Sequence, residues 1–95
     1  MALVVVERVF TEPIALAEFQ AIAEENAWCY RLHQVRFVRS YVSNDGQHMI
    51  CLYEAPDAES VRHVQRQTGM PVQRIWAASL HEPPEYAAGA LADAT

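Results

Sequence analysis

The stretch from Val35 to Pro56, VRFVRSYVSNDGQHMICLYEAP, decides the fold. Two runs rich in β-branched and aromatic residues flank Asn44-Asp45-Gly46. That pattern reads as a β-hairpin with a three-residue loop in which Gly46 supplies the left-handed residue. The first strand of the hairpin runs from about Val35 to Ser43 and the second from His48 to Glu54. Ala55-Pro56 ends it, and Asp57 is a natural cap for a following helix.

Upstream, LVVVERVF (Leu3 to Phe10) is β-branched enough to be a strand, and Thr11-Glu12-Pro13 breaks it. From about Ala15 to Leu32, residues Phe19, Ile22, Ala23, Asn26, Cys29, Tyr30 and His33 recur at spacings of three and four, so one long helix is expected. Downstream of Asp57, Val61, Val64 and Thr68 give a second helix a narrow inner stripe. Gly69 is suited to end that helix and Pro71 to prevent its continuation. A last strand is expected over Val72 to His81. The order β-α-β-β-α-β is the split βαβ, ferredoxin-like arrangement, an α+β fold with both helices on one face of a four-stranded antiparallel sheet. Residues 1–82 form this domain, and the Ala-rich stretch 83–95 is expected to be a flexible tail.

The chain has 95 residues and a net charge of −5, and all seven of its basic residues are Arg. With no basic stripe, nucleic acid and anionic membrane are not expected partners. No apolar run reaches bilayer length and no signal peptide is evident. Two cysteines without CxxC spacing fit a reducing cytoplasm. A chain this short covers one face of a sheet with helices and leaves the other open. If that second face is apolar, another copy of the chain is the usual cover, giving a homodimer.

A three-residue loop places Tyr41 opposite Met49, Arg39 opposite Cys51 and Phe37 opposite Tyr53. The alternate set, Val38, Ser40 and Val42 against His48, Ile50 and Leu52, is dominated by aliphatic residues and is assigned to the helices. The first set then lies on the open face, between two sheets in the dimer. Glu7 is placed there too, where Arg39, Tyr41 and Tyr53 would supply its partners. For the strand after Pro71, the choice of which of Arg74/Trp76 and Ile75/Ala77 faces the helices stays open.

VVVERVF (4–10), VRFVRSYVSNDGQHMICLYEAPDAESVR (35–62) and GMPVQRIW (69–76) resemble a family of small bacterial proteins often labelled nickel-binding. The resemblance covers roughly residues 2 to 83. Its pattern is matched at Glu7-Arg8, Ser40-Tyr41, Asp45, Cys51, Tyr53, Ala55-Pro56, Arg62, Gly69 and Pro71. Phe37 stands where that family has tryptophan, and His48 where Lys or Arg is common. The resemblance implies a ferredoxin-like fold of the dimeric α/β-barrel type and binding of nickel or another divalent transition metal. It assigns no ligands to numbered positions.

The metal candidates are Glu7, His48, Cys51 and His63, oxygen, imidazole and thiolate donors of the kinds transition metals accept. None of the four histidines sits in an HxH, HxxxH or HExxH pattern. Glu59 lies one turn before His63, a spacing that equally suits a surface pair. Phe37, Cys51 and Tyr53 are the candidates for lining a small-ligand site in the intersheet cavity. Cys51 also reads as a small buried hydrophobe. An enzymatic alternative makes Glu7 the general base and Arg39 or Tyr41 the oxyanion stabiliser, with no cofactor. A structural ion pair between Glu7 and Arg39 competes with both uses, and Arg8 is expected to reach past the helix edge to solvent. A purely structural module with a pocket-free dimer interface is the third reading.

Overall fold

The structure is a computed structural model, and it describes residues 1–84. The element order is β1 (Ala2–Val9), α1 (Leu16–Glu25), α2 (Ala27–Leu32), β2 (Arg36–Val42), β3 (His48–Ala55), α3 (Ala58–Thr68) and β4 (Arg74–Ala78). The strands form one sheet in the order β2-β3-β1-β4, with every neighbour antiparallel. Among the described residues the chain is therefore α+β, with four strands and three helices. The last strand is shorter than the expected 72–81. The expected tail lies outside the described residues, apart from its first two positions.

Where one long helix was expected there are two, because Asn26 interrupts it. Its side-chain Nδ2 donates to the Ile22 carbonyl at 2.8 Å, competing with the helical ladder at that turn. The α2 helix then ends in a left-handed residue, Gln34 (φ 58°), and Val35 N–H reaches back to the Tyr30 carbonyl at 2.8 Å. This is a Schellman closure with glutamine in the position glycine usually takes. It aims the chain directly into β2. Asp57 caps α3 by accepting from Ser60 N–H at 2.8 Å, and Gly69 closes it at φ 71°.

The hairpin corrects the expected register. Ser43 N–H bonds the His48 carbonyl at 2.9 Å, so four residues separate the strands rather than three. Asp45 organises the longer loop, accepting from Ser43 Oγ at 2.5 Å and from Gln47 N–H at 3.0 Å. The added residue slips the pairing by one: Tyr41 faces Ile50, Ser40 faces Cys51 and Arg39 faces Leu52. An irregularity between Phe37 and Arg39 then restores the expected Phe37–Tyr53 pair.

A one-residue slip exchanges the faces. Met49, Cys51 and Tyr53, expected on the open side, lie under the helices with Val4, Val6, Phe10, Phe19, Cys29, Val61 and Val64 in one buried cluster. Phe37 joins that side through its pairing with Tyr53. Burial of side chains of this size contributes roughly 1.5–3 kcal/mol each, so this assignment dominates the stability of the sheet. Both cysteines are free thiols in the core.

Candidate functional site

Three polar constellations stand out. The first lies inside the core. Arg8 alternates with Val4 and Val6 along β1, so it points under the helices, and it is only 1% exposed. Its Nη2 donates to Gln65 Oε1 at 2.6 Å and to Tyr53 Oη at 3.2 Å. Nη1 donates to the Pro71 carbonyl at 3.1 Å, and Nε to Cys51 Sγ at 3.4 Å. Ser40 Oγ donates to the same sulfur at 3.2 Å. No carboxylate is among these partners, so a buried charge is held by neutral dipoles alone. Burial pushes the Tyr53 phenol upward, keeping it protonated at neutral pH. Gln65 Nε2 is buried with no partner.

The second constellation lies on the open face. Pairing across the sheet sets two rows side by side: Arg74, Glu7, Ile50, Tyr41 and Trp76, Val5, Leu52, Arg39. Glu7 does lie on this face, as expected, but its partners are not Arg39, Tyr41 and Tyr53. Trp76 Nε1 donates to Oε2 at 2.7 Å, and the Arg74 guanidinium lies at 3.2 Å. The Trp76 hydrogen bond, with Arg74 adding to it, holds the Glu7 carboxyl below the usual carboxylate range. Around this pair Tyr41, Trp76, Ile50 and Val9 leave 41–60% of their surface exposed.

The third constellation is on the helices. His33, at the end of α2, and His63, mid-way along α3, bring their rings to 5.3 Å between centroids and parallel within 4°. His63 Nε2 lies 3.8 Å from Glu59 Oε1, and Arg66 Nη2 lies 3.1 Å from His63 Nδ1. Glu59 also receives Arg62 at 3.2 Å and Arg66 at 3.3 Å, and these two hydrogen bonds, Arg66's first, lower its carboxyl.

The structure separates the four metal candidates. Glu7 is on the open face, Cys51 is fully buried beneath the helices, His48 closes the hairpin and His63 sits on the surface of α3. Among the described residues, no group of three or more His, Cys, Asp or Glu side chains is placed to hold a metal ion. Arg39 and Tyr41, both on β2, are on the Glu7 face but lie across β3 from β1, and no hydrogen bond or ion pair joins either to Glu7 among the described residues. Phe37 and Tyr53 do stay together, at 5.7 Å between ring centroids, but on the helix side rather than between sheets. Arg8 was expected to reach past the helix edge to solvent and is instead buried, held inside by its four partners. Sequence reasoning left the facing of Arg74 open and missed Gln65 and the His33–His63 approach. The alternation of β1 carried a signal for Arg8: once Glu7 is outside, its neighbour must be inside. The two histidines are 30 positions apart, and only helix packing joins them.

The family described as nickel responsive protein SCO4226-like matches residues 5–77. The crystal structure of SCO4226 from Streptomyces coelicolor A3(2) superposes with a TM-score of 0.74 at 18% identity, covering 85% of this chain and 100% of that one. At that identity the likeness speaks for the fold. No curated protein matches the chain. Among the described residues no helix is long and apolar enough to cross a membrane.

Proposed function

The chain belongs to the SCO4226-like family, and from that premise we propose that it is a cytoplasmic homodimer that takes up a divalent transition metal, nickel by the family's description, through His33 and His63. The observation that carries the reading is the parallel imidazole pair across α2 and α3. Imidazole is a favoured ligand of nickel and zinc. His63 is half exposed, and turning its ring toward a shared ion would exchange its stacking on His33 and its contact with Arg66 for a bond to the metal. Glu59 is the nearest oxygen donor, and releasing it from Arg62 and Arg66 would complete a set of two nitrogens and one oxygen. Water would fill the remaining positions. The bound ion would supply a fixed positive charge that ties α2 to α3, and that added rigidity is the change a partner could read.

The fold supports pairing of two copies. The strand order β2-β3-β1-β4 is that of a split βαβ sheet. Its open face carries Trp76, Val5, Leu52, Ile50 and Tyr41, with Arg39, Glu7 and Arg74 among them. Arg39 has no ion-pair partner among the described residues. We assign this face to the dimer interface.

Calorimetric titration of tag-free protein with nickel, zinc, cobalt and copper tests the metal reading. Binding tighter than millimolar is expected, lost in His33→Ala and in His63→Ala and kept in His48→Ala. Equal binding by all three variants, or none by the parent, would refute it. The enzymatic alternative is disfavoured by Glu7 itself: a carboxylate already satisfied by Trp76 and Arg74, and lowered by them, is a poor base at neutral pH.

A further inference from the structure

The covered side of the sheet is not fully covered. Phe37 turns toward the helices yet keeps 44% of its surface exposed. Beside it a hollow of about 290 Å³ opens between α1, α2 and the β2–β3 pair. Its helix wall is Ala23 of α1 and Ala27 of α2, side chains too small to reach the sheet. Its other walls are aromatic. Phe19 and Phe37 lie 6.1 Å apart between centroids, Phe37 and Tyr53 5.7 Å, and Tyr30 and Tyr53 6.0 Å. At the mouth stand Arg31 and Arg36. Arg36 is paired with Glu54, whereas Arg31 has no ion-pair or hydrogen-bond partner among the described residues.

We propose that this hollow is a binding site for a small planar aromatic carboxylate of one or two fused rings. The volume is close to the lower bound of small-ligand sites, about 300 Å³. Aromatic walls that meet at a tilt leave ring faces and edges for a flat guest. The free guanidinium of Arg31 supplies the complement to an acid at the rim. The Tyr53 hydroxyl is tied to Arg8 and its ring is fully buried, so it backs the floor rigidly and a guest meets the accessible Phe37 and Tyr30 rings. The site lies on the opposite side of the sheet from the proposed dimer face, and it shares no residue with the His33–His63 pair, so it stands or falls independently of the metal.

Titration of the full chain with 2-naphthoate, followed by backbone and aromatic NMR shifts, tests this. Saturable shifts centred on Ala23, Ala27, Tyr30 and Phe37 are expected. Ala27→Phe, which fills the hollow, should weaken binding at least about tenfold, and Ala23→Leu serves the same purpose if the first variant does not fold. Arg31→Gln should weaken 2-naphthoate about threefold, the size of one exposed charge pair, and leave neutral 2-naphthalenemethanol unchanged. No saturation at millimolar probe, shifts centred elsewhere, unaltered binding in the filled variants, or equal loss of both probes in Arg31→Gln would each overturn the proposal.

Discussion

Arg8 offers the sharpest test of how this core is held. Its guanidinium is removed from water and balanced only by Gln65, Tyr53, the Pro71 carbonyl and the Cys51 sulfur. Replacing it with Met removes the charge and its desolvation cost, several kcal/mol for a buried ion. The same change strips donors from three oxygens, at roughly 1–3 kcal/mol for each that finds no substitute. These opposing terms nearly cancel, so Arg8→Met should lie within about 2 kcal/mol of the parent. Arg8→Ala shares every polar term with Arg8→Met but also deletes three heavy atoms of packed side chain. At about 0.8 kcal/mol per buried methylene, plus the cavity left behind, the alanine variant should be less stable than the methionine variant by about 2–4 kcal/mol. Urea unfolding of the three proteins, with matched slopes, measures this directly. Equal stability of the two variants would show that the side chain is not packed as described. A methionine variant destabilised by more than about 4 kcal/mol would show that the guanidinium is a strong net stabiliser, contrary to the reasoning.

Other perturbations discriminate equally well. Gly46 and Gly69 both hold left-handed conformations, but a Cβ at 46 would lie 3.0 Å from Pro13 Cβ, while one at 69 meets nothing within 4 Å. Gly69→Ala should therefore cost about 1–2 kcal/mol and Gly46→Ala at least about 1 kcal/mol more, measured by thermal unfolding. Ile50→Arg, placed in the centre of the open face, should convert a dimer to a folded monomer in sedimentation; a parent already monomeric at high concentration would refute the interface. Glu7, Glu59, Asp45 and Asp57 all have folded-state carboxyls below their ordinary values of 4.5 and 3.8. Depressed acids contribute stability that is complete above the unfolded value and lost as pH falls through the folded one. The melting temperature should hold steady down to about pH 5 and fall below pH 4.5, and a rise on acidification would contradict these contacts.

The hairpin marks the boundary between what the chain reveals and what it withholds. The element types were legible because β-branched runs, Asp57, Gly69 and Pro71 each act locally. Asn26 broke the long helix through a side-chain bond to Ile22 that spacing alone does not reveal. The register was lost to one residue of loop, since Asp45 can stabilise a four-residue connection as readily as Gly46 a three-residue one. That slip moved Cys51, Met49 and Tyr53 to the opposite face, away from Glu7. Glu7 was placed correctly because a carboxylate amid valines has only one affordable direction. Its true partners come from β4, whose facing the sequence left open, and the meeting of His33 with His63 depends on α2 and α3 packing across the sheet.

Paramagnetic broadening of backbone amide signals by nickel added to tag-free protein tests the metal assignment most directly. The account predicts saturable broadening centred on residues 33 and 63 and spreading along α2 and α3. Broadening centred on His48 or on Glu7, or uniform weak loss without saturation, would contradict it.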